Sequence, residues 1–363
     1  MWHVWIVLPL IFFVAISVAG GAFYAGWDII GARTVKSETT IDSKTLFELV
    51  KLSFGVVAGA GALVALVVAY RRQRVDEDAA TRDATRLHTE RFGSAVGQLG
   101  DSSAAVRLGG VHALSALADD APTIPLRQTC VDVLCAYLRM PDQSSEGTAE
   151  RQVRDTILDQ IRSHLRSPLD YLTASASSWH GLYFNLKGAT LHNPSLSGID
   201  LDNGTVFDFE NAVFPDGADF EHITLRELSA LDFTSARFSG GMLDFRGASL
   251  ADASMSFREA DFGGSYAVFD GDLDDGGVVT FETAAFTDGQ VHIRFPSEDR
   301  HGRVAGRVNL KDVLLDGGQI TLEADTVQIT RGLFEPLPVG LSIAEPPDFS
   351  NLMQVMPDPP QSP

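Results

Sequence analysis

The most distinctive set of polar side chains is a run of carboxylates that begins at Asp270. Asp270, Asp272 and Asp274 alternate along the chain, as oxygen ligands do when they converge on one hard cation such as Ca²⁺. Measured against a calcium-binding loop, however, the glycine Gly276 comes one place late, as does Glu282, and no helix is predicted before the run. The sequence therefore favours a solvated acidic turn over a calcium site.

Catalytic signatures are missing from the chain. It has no phosphate-binding loop, no nucleotide-binding glycine fingerprint and no nucleophile elbow, and its histidines lack metal-ligand spacing. Cys130 and Cys135 lie five residues apart on a predicted helix, which suits neither a metal pair nor a disulfide within that helix. We expect two buried thiols, no catalytic residue, no metal and no cofactor, and hence a protein that is not an enzyme.

Charge is distributed unevenly along the 363 residues. The chain carries 48 acidic and 28 basic residues, for a net charge of −20, with 45% hydrophobic residues. This composition argues against general disorder and against a basic nucleic-acid binder. Residues 180–335 alone hold 26 acidic and 11 basic residues. The negative charge therefore belongs mainly to this region.

Two apolar runs predict a transmembrane hairpin over 1–74, with spans at about 4–26 and 50–70. Arg71, Arg72 and Arg74 follow the second run, which would keep the rest of the chain in the cytoplasm. This predicts a two-span protein of the cell membrane with the lipid bilayer as a partner. A cleaved signal peptide is the rival interpretation of the first run, but no Lys or Arg precedes its apolar core.

Small residues recur one helical turn apart in the second run, at Gly55 and Gly59. Such spacing lets two helix backbones approach closely. We favour packing within the hairpin over self-association of two chains.

The segment after the hairpin predicts a small all-helical neck over 75–170, in which apolar residues recur at helical spacing.

At the other end of the chain, residues 336–363 hold eight of the sixteen prolines. This composition predicts a disordered tail. A proline-rich docking segment is the alternative to a loose tail.

Large apolar residues recur every five positions between these two regions. Alanine often precedes them by two residues, as in Ala218-Asp-Phe220 and Ala260-Asp-Phe262. The predicted repeat core consists of Leu186, Leu191, Leu196, Leu201, Phe214, Phe233, Phe238, Leu250, Phe262 and Phe286. A period of five fits neither a helix nor a strand, so the chain must turn at each repeat and form a solenoid.

This pattern resembles the pentapeptide-repeat family, in which alanine, then Asp or Asn, then Leu or Phe precede two free positions. The resemblance implies a right-handed quadrilateral β-helix over 179–335, with four repeats in a coil and at most about seven coils of about 20 residues. Two segments, from Arg91 to Leu117 and from Arg127 to Pro141, also resemble the helical region that precedes such repeats in a group of bacterial membrane proteins.

The sequence as a whole predicts an α+β membrane protein. Its expected function is that of a non-enzymatic, membrane-anchored scaffold that presents an acidic β-helix to an unidentified cytoplasmic protein. The alternative is a DNA-mimicking inhibitor of a type II topoisomerase or of another nucleic-acid enzyme, because some pentapeptide-repeat proteins resemble duplex DNA in charge and width. Direct binding of nucleic acid is not expected from so acidic a chain.

Overall fold

The computed structural model describes residues 43–141, 147–166, 178–274, 276–294, 306–323 and 341–344, and six isolated positions between 13 and 24; at some of these positions it describes the backbone alone. The chain divides into two compact units, Met1–Thr85 and Arg86–Pro363. The first predicted membrane span lies almost wholly outside the described residues.

Within residues 43–166, as far as the structure describes them, four helices precede the strands. They are α1 (Ser43–Leu99), α2 (Ala104–Asp119), α3 (Ile124–Arg139) and α4 (Thr148–Leu165). Helices α2 to α4 bury one apolar face each, at i, i+3 and i+4 spacing. Their shared core includes Val111, Leu114, Leu134 and Ile157.

The predicted transmembrane hairpin is wrong. Among the described residues, no helix combines the length and the apolar character that crossing a bilayer requires. The second apolar run is instead one part of the 57-residue helix α1, which continues without a break into a strongly charged stretch. The predicted two-span fold class and the predicted location in the cell membrane are corrected accordingly.

The residues assigned to membrane packing and topology all lie on α1. Gly55 and Gly59 are exposed, and no described atom lies within 4 Å of the position that a Cβ would take on either residue. Arg71, Arg72 and Arg74 are exposed as well. Arg72 lies 4.0 Å from Asp76 in an exposed i, i+4 ion pair, an arrangement typical of a solvated helix face.

Eighteen short strands follow α4 within the described residues. They are β1 (Tyr183–Asn185), β2 (Asp200–Leu201), β3 (Val206–Asp208), β4 (Val213–Phe214), β5 (Gly217–Asp219), β6 (Thr224–Leu225), β7 (Ala230–Asp232), β8 (Arg237–Phe238), β9 (Met242–Leu250), β10 (Ser254–Ser256), β11 (Tyr266–Leu273), β12 (Val278–Thr280), β13 (Ala285–Thr287), β14 (Gln290–Arg294), β15 (Arg307–Asn309), β16 (Leu314–Asp316), β17 (Gln319–Glu323) and β18 (Leu341–Ala344). The last of these lies in the predicted proline-rich tail.

These strands form a β-solenoid of about five turns, in which every strand pairing is parallel. A six-stranded sheet has the order β1-β3-β7-β10-β12-β15, and an eight-stranded sheet contains β18-β17-β14-β11-β9-β6-β2, with β5 also paired to β9. Two further pairs are β13-β16 and β4-β8. The strands pair in parallel because successive coils stack on one another and run in the same direction.

The coil is longer than the five-residue spacing predicts. Val206 pairs with Ala230, and Ala230 pairs with Ser254, so these equivalent residues lie 24 positions apart. The spacing is 23 between Tyr183 and Val206, and it rises to 29 between Val278 and Arg307. Four short paired segments make up the coil that starts at Val206, namely 206–208, 213–214, 217–219 and 224–225. The predicted coil length of about 20 residues is therefore too short, because only part of each coil follows the spacing of five. The observed number of about five turns lies within the predicted maximum of about seven coils.

Each coil bends where the backbone takes a positive φ. One such corner recurs through Asn211 (φ 59°), Ser235 (φ 56°), Glu259 (φ 56°) and Thr283 (φ 58°). The spacing of these four residues is again 24. Non-glycine residues in this region carry a conformational cost, which the cross-coil backbone hydrogen bonds offset.

The interior of the solenoid is filled by ladders of stacked phenylalanines. Phe209, Phe233, Phe257 and Phe281 stack in sequence with ring centroids 4.8 Å, 4.8 Å and 5.1 Å apart. A second ladder comprises Phe214, Phe238, Phe262 and Phe286, and a third comprises Phe220, Phe245 and Phe269. Rings of this size bury enough apolar area to dominate the stability of the solenoid.

Candidate interaction surface

The helices close the first edge of the solenoid with side chains in place of a strand. Arg139 donates to the carbonyl of Asn185 at 3.0 Å, and Arg154 donates to the carbonyl of Thr190 at 3.0 Å. Arg162 donates to the carbonyl oxygen of Ser197 at 2.9 Å. An uncovered edge of a parallel sheet is a template for added strands. These guanidinium groups donate hydrogen bonds to edge carbonyls that would otherwise be free to pair with an added strand.

Helix α3 makes two further contacts with the same edge. Arg127 donates to the carbonyl of Ser178 at 3.0 Å. The amide of Gln128 donates to the carbonyl of Tyr183 at 2.6 Å and accepts from its N–H at 3.0 Å, which reproduces the pairing of a neighbouring strand. We call Arg127, Gln128, Arg139, Arg154 and Arg162 together the arginine cap.

A buried network of polar side chains lies within the helical layer that carries the arginine cap. The carboxylate of Glu150 accepts from Arg107 at 3.1 Å and from the hydroxyl of Tyr137 at 3.0 Å. Burial, together with the bond to Glu150, raises the pKa of Tyr137 to about 12. The phenol therefore stays protonated and donates at physiological pH.

The junction between α4 and the solenoid is held by one carboxylate. Asp119 accepts from the indole N–H of Trp179 at 3.0 Å and lies 3.1 Å from Nε2 of His164. The imidazole of His164 stacks on the indole with ring centroids 4.2 Å apart. Trp179 is fully buried, so this contact fixes the first residues of the solenoid against the helices.

The eight-stranded sheet presents a broad outer face. Met242 of β9 pairs in register with Tyr266 of β11, and both side chains are partly exposed. The next position across this face is Gln290 of β14, which pairs with Gln319 of β17. A flat strip of apolar and amide side chains results, of the kind that protein interfaces use.

Charged residues on the solenoid form ion pairs between coils. Arg294 lies 3.6 Å from Asp270, Arg258 donates to Glu282 at 2.8 Å, and Lys187 bonds to Glu210. Hydrogen bonds to Glu210 and then to Asp208 raise the pKa of Lys187. These pairs neutralise part of the negative charge locally, so the surface field is weaker than the residue count implies.

The proposed calcium residues lie on and after strand β11. Asp270 faces Arg294, and the register of β11 against β9 shifts between Asp270 and Gly271. Within the part of the chain that the structure describes, no three His, Cys, Asp or Glu side chains are placed to hold a metal ion. Asp270, Asp272 and Asp274 are thus not brought together as a set of metal ligands.

Both cysteines are buried in α3 and carry free thiols. The Sγ of Cys130 lies 3.9 Å from Nε2 of His88. Burial raises the pKa of the Cys130 thiol to about 11 and, as the largest of several effects, that of Cys135 to about 12. Neither thiol is therefore poised for nucleophilic chemistry.

All ten residues assigned to the repeat core are buried in the structure; they are Leu186, Leu191, Leu196, Leu201, Phe214, Phe233, Phe238, Leu250, Phe262 and Phe286. Sequence reasoning missed the 24-residue coil and the arginine cap. A signal for the former exists, because Phe recurs at 24-residue intervals from Phe209 and from Phe214.

Comparisons with known proteins leave the chain without a named relative. No family model, curated protein or solved structure matches it.

Proposed function

We propose that the chain is a non-enzymatic binding scaffold that presents the outer faces of its solenoid to a protein partner. The solenoid is of the pentapeptide-repeat type in a lengthened form. The observation that carries the proposal is the broad parallel face around Met242 and Tyr266, where exposed apolar side chains stand in register on a rigid backbone.

Rigidity supports this role. Residues on the outer face keep fixed spacings because the coils beneath them are joined by backbone hydrogen bonds and by stacked rings such as Phe220 on Phe245, 4.8 Å apart. Binding to a preformed surface loses less conformational entropy than binding to a mobile one. Outward side chains can also vary freely on such a frame.

The relationship to pentapeptide repeats is supported by the inward pairs. Ala212 with Phe214, Ala236 with Phe238, and Ala260 with Phe262 are all buried, as that repeat requires. The 24-residue coil departs from four repeats of five. We propose that segments such as 212–214 retain the repeat while other parts of the coil have been lengthened.

Affinity purification of the full-length chain from its native cells tests the proposal. We expect a defined partner protein that is retained by the native chain and lost when Met242 and Tyr266 are both replaced by Glu. The control is Leu314→Glu, which places one carboxylate at an exposed apolar residue of β16. Both variants should keep the circular dichroism of the native chain.

The proposal would be contradicted by a partner that binds the double variant as tightly as it binds the native chain. It would also be contradicted by an enzymatic activity that a single substitution on the solenoid abolishes.

The DNA-mimicking alternative has weaker support. Mimicry requires regularly spaced, unpaired negative charge, whereas Asp200 bonds to Arg226 and Asp244 accepts from Arg246 at 2.6 Å. Inhibition of type II topoisomerase supercoiling by the full chain would favour this alternative.

A further inference from the structure

One corner of the solenoid carries a leucine where other coils have smaller residues. Gly204 donates its N–H to the carbonyl of Glu227 at 2.9 Å, and Leu228 donates to Asp252 at 2.8 Å. Gly276 lies against Asp252 in the next coil. We call the stack of Gly204, Glu227, Leu228, Asp252 and Gly276 the Leu228 corner.

Leucine is poorly suited to this position. Gly204, Asp252 and Gly276 have φ values of 72°, 50° and 77°, and Leu228 adopts 63°. The left-handed region strains a residue that has a Cβ, and glycine, Asn and Asp tolerate it best. The preceding residue, Glu227, also has a positive φ of 53°. The fold would therefore be at least as stable with a smaller residue at position 228.

Solvent exposure adds to this conflict. Leu228 is 75% exposed, more than any other large apolar side chain in the described part of the solenoid, the next being Leu314 at 59%. The side chain contributes little to the core while it carries a backbone cost. An observed outlier of this kind is a reason to infer a function for the residue.

The surroundings of Leu228 are acidic. Glu227 and Asp252 are exposed, and Asp202 and Asp274 are partly exposed at the flanking coils of the same edge. The neighbouring guanidinium of Arg226 is bonded to Asp200, and Asp202 lies 3.3 Å from His180. The corner thus presents an exposed apolar side chain with carboxylates beside it in the chain and on the flanking coils.

We propose that Leu228 anchors a protein partner whose docking site is an apolar pocket rimmed by Lys or Arg. Because Leu228 is 75% exposed at a corner of the coil, a partner can bury it only in a pocket. The carboxylates near Leu228 favour a partner whose pocket has a basic rim, through charge complementarity. Energetically dominant interface residues lie near the centre of an interface, where the surrounding contacts exclude water. This inference rests on the proposed scaffold function and names its docking point.

The experiment places a photo-crosslinking amino acid at position 228 of the full-length chain in its native cells. Matched chains carry the same group at Leu314 and at Tyr266. Each adduct is identified by mass spectrometry, and the captured protein is then purified and titrated against the native chain, Leu228→Asn and Leu314→Asn.

We expect position 228 to capture a basic protein that position 314 does not. Leu228→Asn should weaken its binding at least about tenfold, whereas Leu314→Asn should leave binding unchanged. Because Asn accepts the left-handed φ, Leu228→Asn should melt at the same temperature as the native chain or higher. Binding should weaken as salt rises from about 0.05 to about 0.5 M.

The inference is overturned if position 228 yields no adduct above the level at Leu314, or if the partner binds Leu228→Asn within about twofold of the native affinity. Adducts at Tyr266 without adducts at 228 would reject the anchor and keep the scaffold function. If neither position 228 nor position 266 yields adducts, both the anchor and the scaffold function are rejected.

Discussion

Single residues in this protein behave according to their burial. Cys130 and Cys135 lie in the core of the helical layer, where loss of water raises the pKa of their thiols to about 11 and about 12. We expect neither to react with a thiol reagent such as dithionitrobenzoate at about pH 8, because the thiolate is the reactive form. Both should react once denaturant unfolds the chain. Rapid labelling of either cysteine in the folded protein would contradict this account.

His88 makes the free energy of unfolding depend on pH. It is 6% exposed, and burial lowers its pKa, an effect that the charge of Asp120 partly opposes. The unfolded chain then binds a proton more readily than the folded chain just below about pH 6.5. Stability that is complete above that pH is lost as the pH falls through the folded pKa.

Denaturant titrations between about pH 7.5 and about pH 5 measure this effect. Replacing His88 by Gln should flatten the fall in unfolding free energy over that range. His112 is exposed on α2, so His112→Gln is the matched control and should leave the slope unchanged. An identical slope in the native chain and His88→Gln would show that His88 does not contribute.

Residue patterns predict some positions well and others not at all. Phe233 and Phe262 could be assigned to the core because an apolar residue every five positions must face inward if the chain turns regularly. The cation role of Asp270 and Asp272 could not be judged from their alternation, since side-chain convergence depends on the bulge that follows Asp270. The conflict between leucine and its backbone conformation at position 228 can be recognised only from the φ angle, which no sequence motif supplies.

At the scale of elements, the arginine cap joins the helices to the first coil. Arg154 is 7% exposed and donates to the carbonyls of Met140 and Thr190. Arg154→Met removes the donors and leaves buried carbonyls unpaired, so we expect a loss of about 2 to 4 kcal/mol in unfolding free energy. Arg154→Lys should recover only part of it, because one ammonium cannot span the carbonyls that the planar guanidinium reaches.

Arg151 on the same helix is exposed and is the matched control. Arg151→Met should cost less than about 0.5 kcal/mol. Equal losses at the two positions, measured by chemical denaturation, would contradict a capping role for Arg154.

The phenylalanine ladders make a second prediction at this scale. Phe233 is fully buried and stacks on both Phe209 and Phe257 at 4.8 Å. Phe233→Ala leaves a cavity between two rings and should cost about 3 to 5 kcal/mol. Phe233→Leu should cost less because most of the volume remains. Thermal denaturation checks both; a loss of under about 1 kcal/mol for Phe233→Ala would contradict the ladder as a source of stability.

Helix positions were foreseeable from apolar periodicity, but the roles of the helices were not. Arg139 and Arg162 look like ordinary arginines near the end of a helix, and only their placement against Asn185 and Ser197 makes them part of a cap. The apolar run of α1 shows the opposite problem. Its composition suggests a membrane span, whereas the helix in which it lies extends unbroken to Leu99.

At the scale of the whole molecule, the coil length decides which residues share a face. The spacing of five is local and is satisfied by short segments such as 209–214, so it cannot reveal how many residues a full turn contains. The interval from Phe209 to Phe233 does reveal it, because stacked rings must recur once in each coil. The outer face around Met242 and Tyr266 exists only with a 24-residue turn, since those two residues are 24 positions apart.

The most direct test of the account deletes one coil from the full-length chain. Removing residues 229–252 joins Leu228 to Ala253 and places Phe257 above Phe209 in the ladder. Removing 229–248, a deletion of 20 residues, would misplace every later ladder. We predict that the 24-residue deletion unfolds cooperatively and keeps the β-sheet circular dichroism, while the 20-residue deletion loses both. A 20-residue deletion as stable as the 24-residue one would contradict the account.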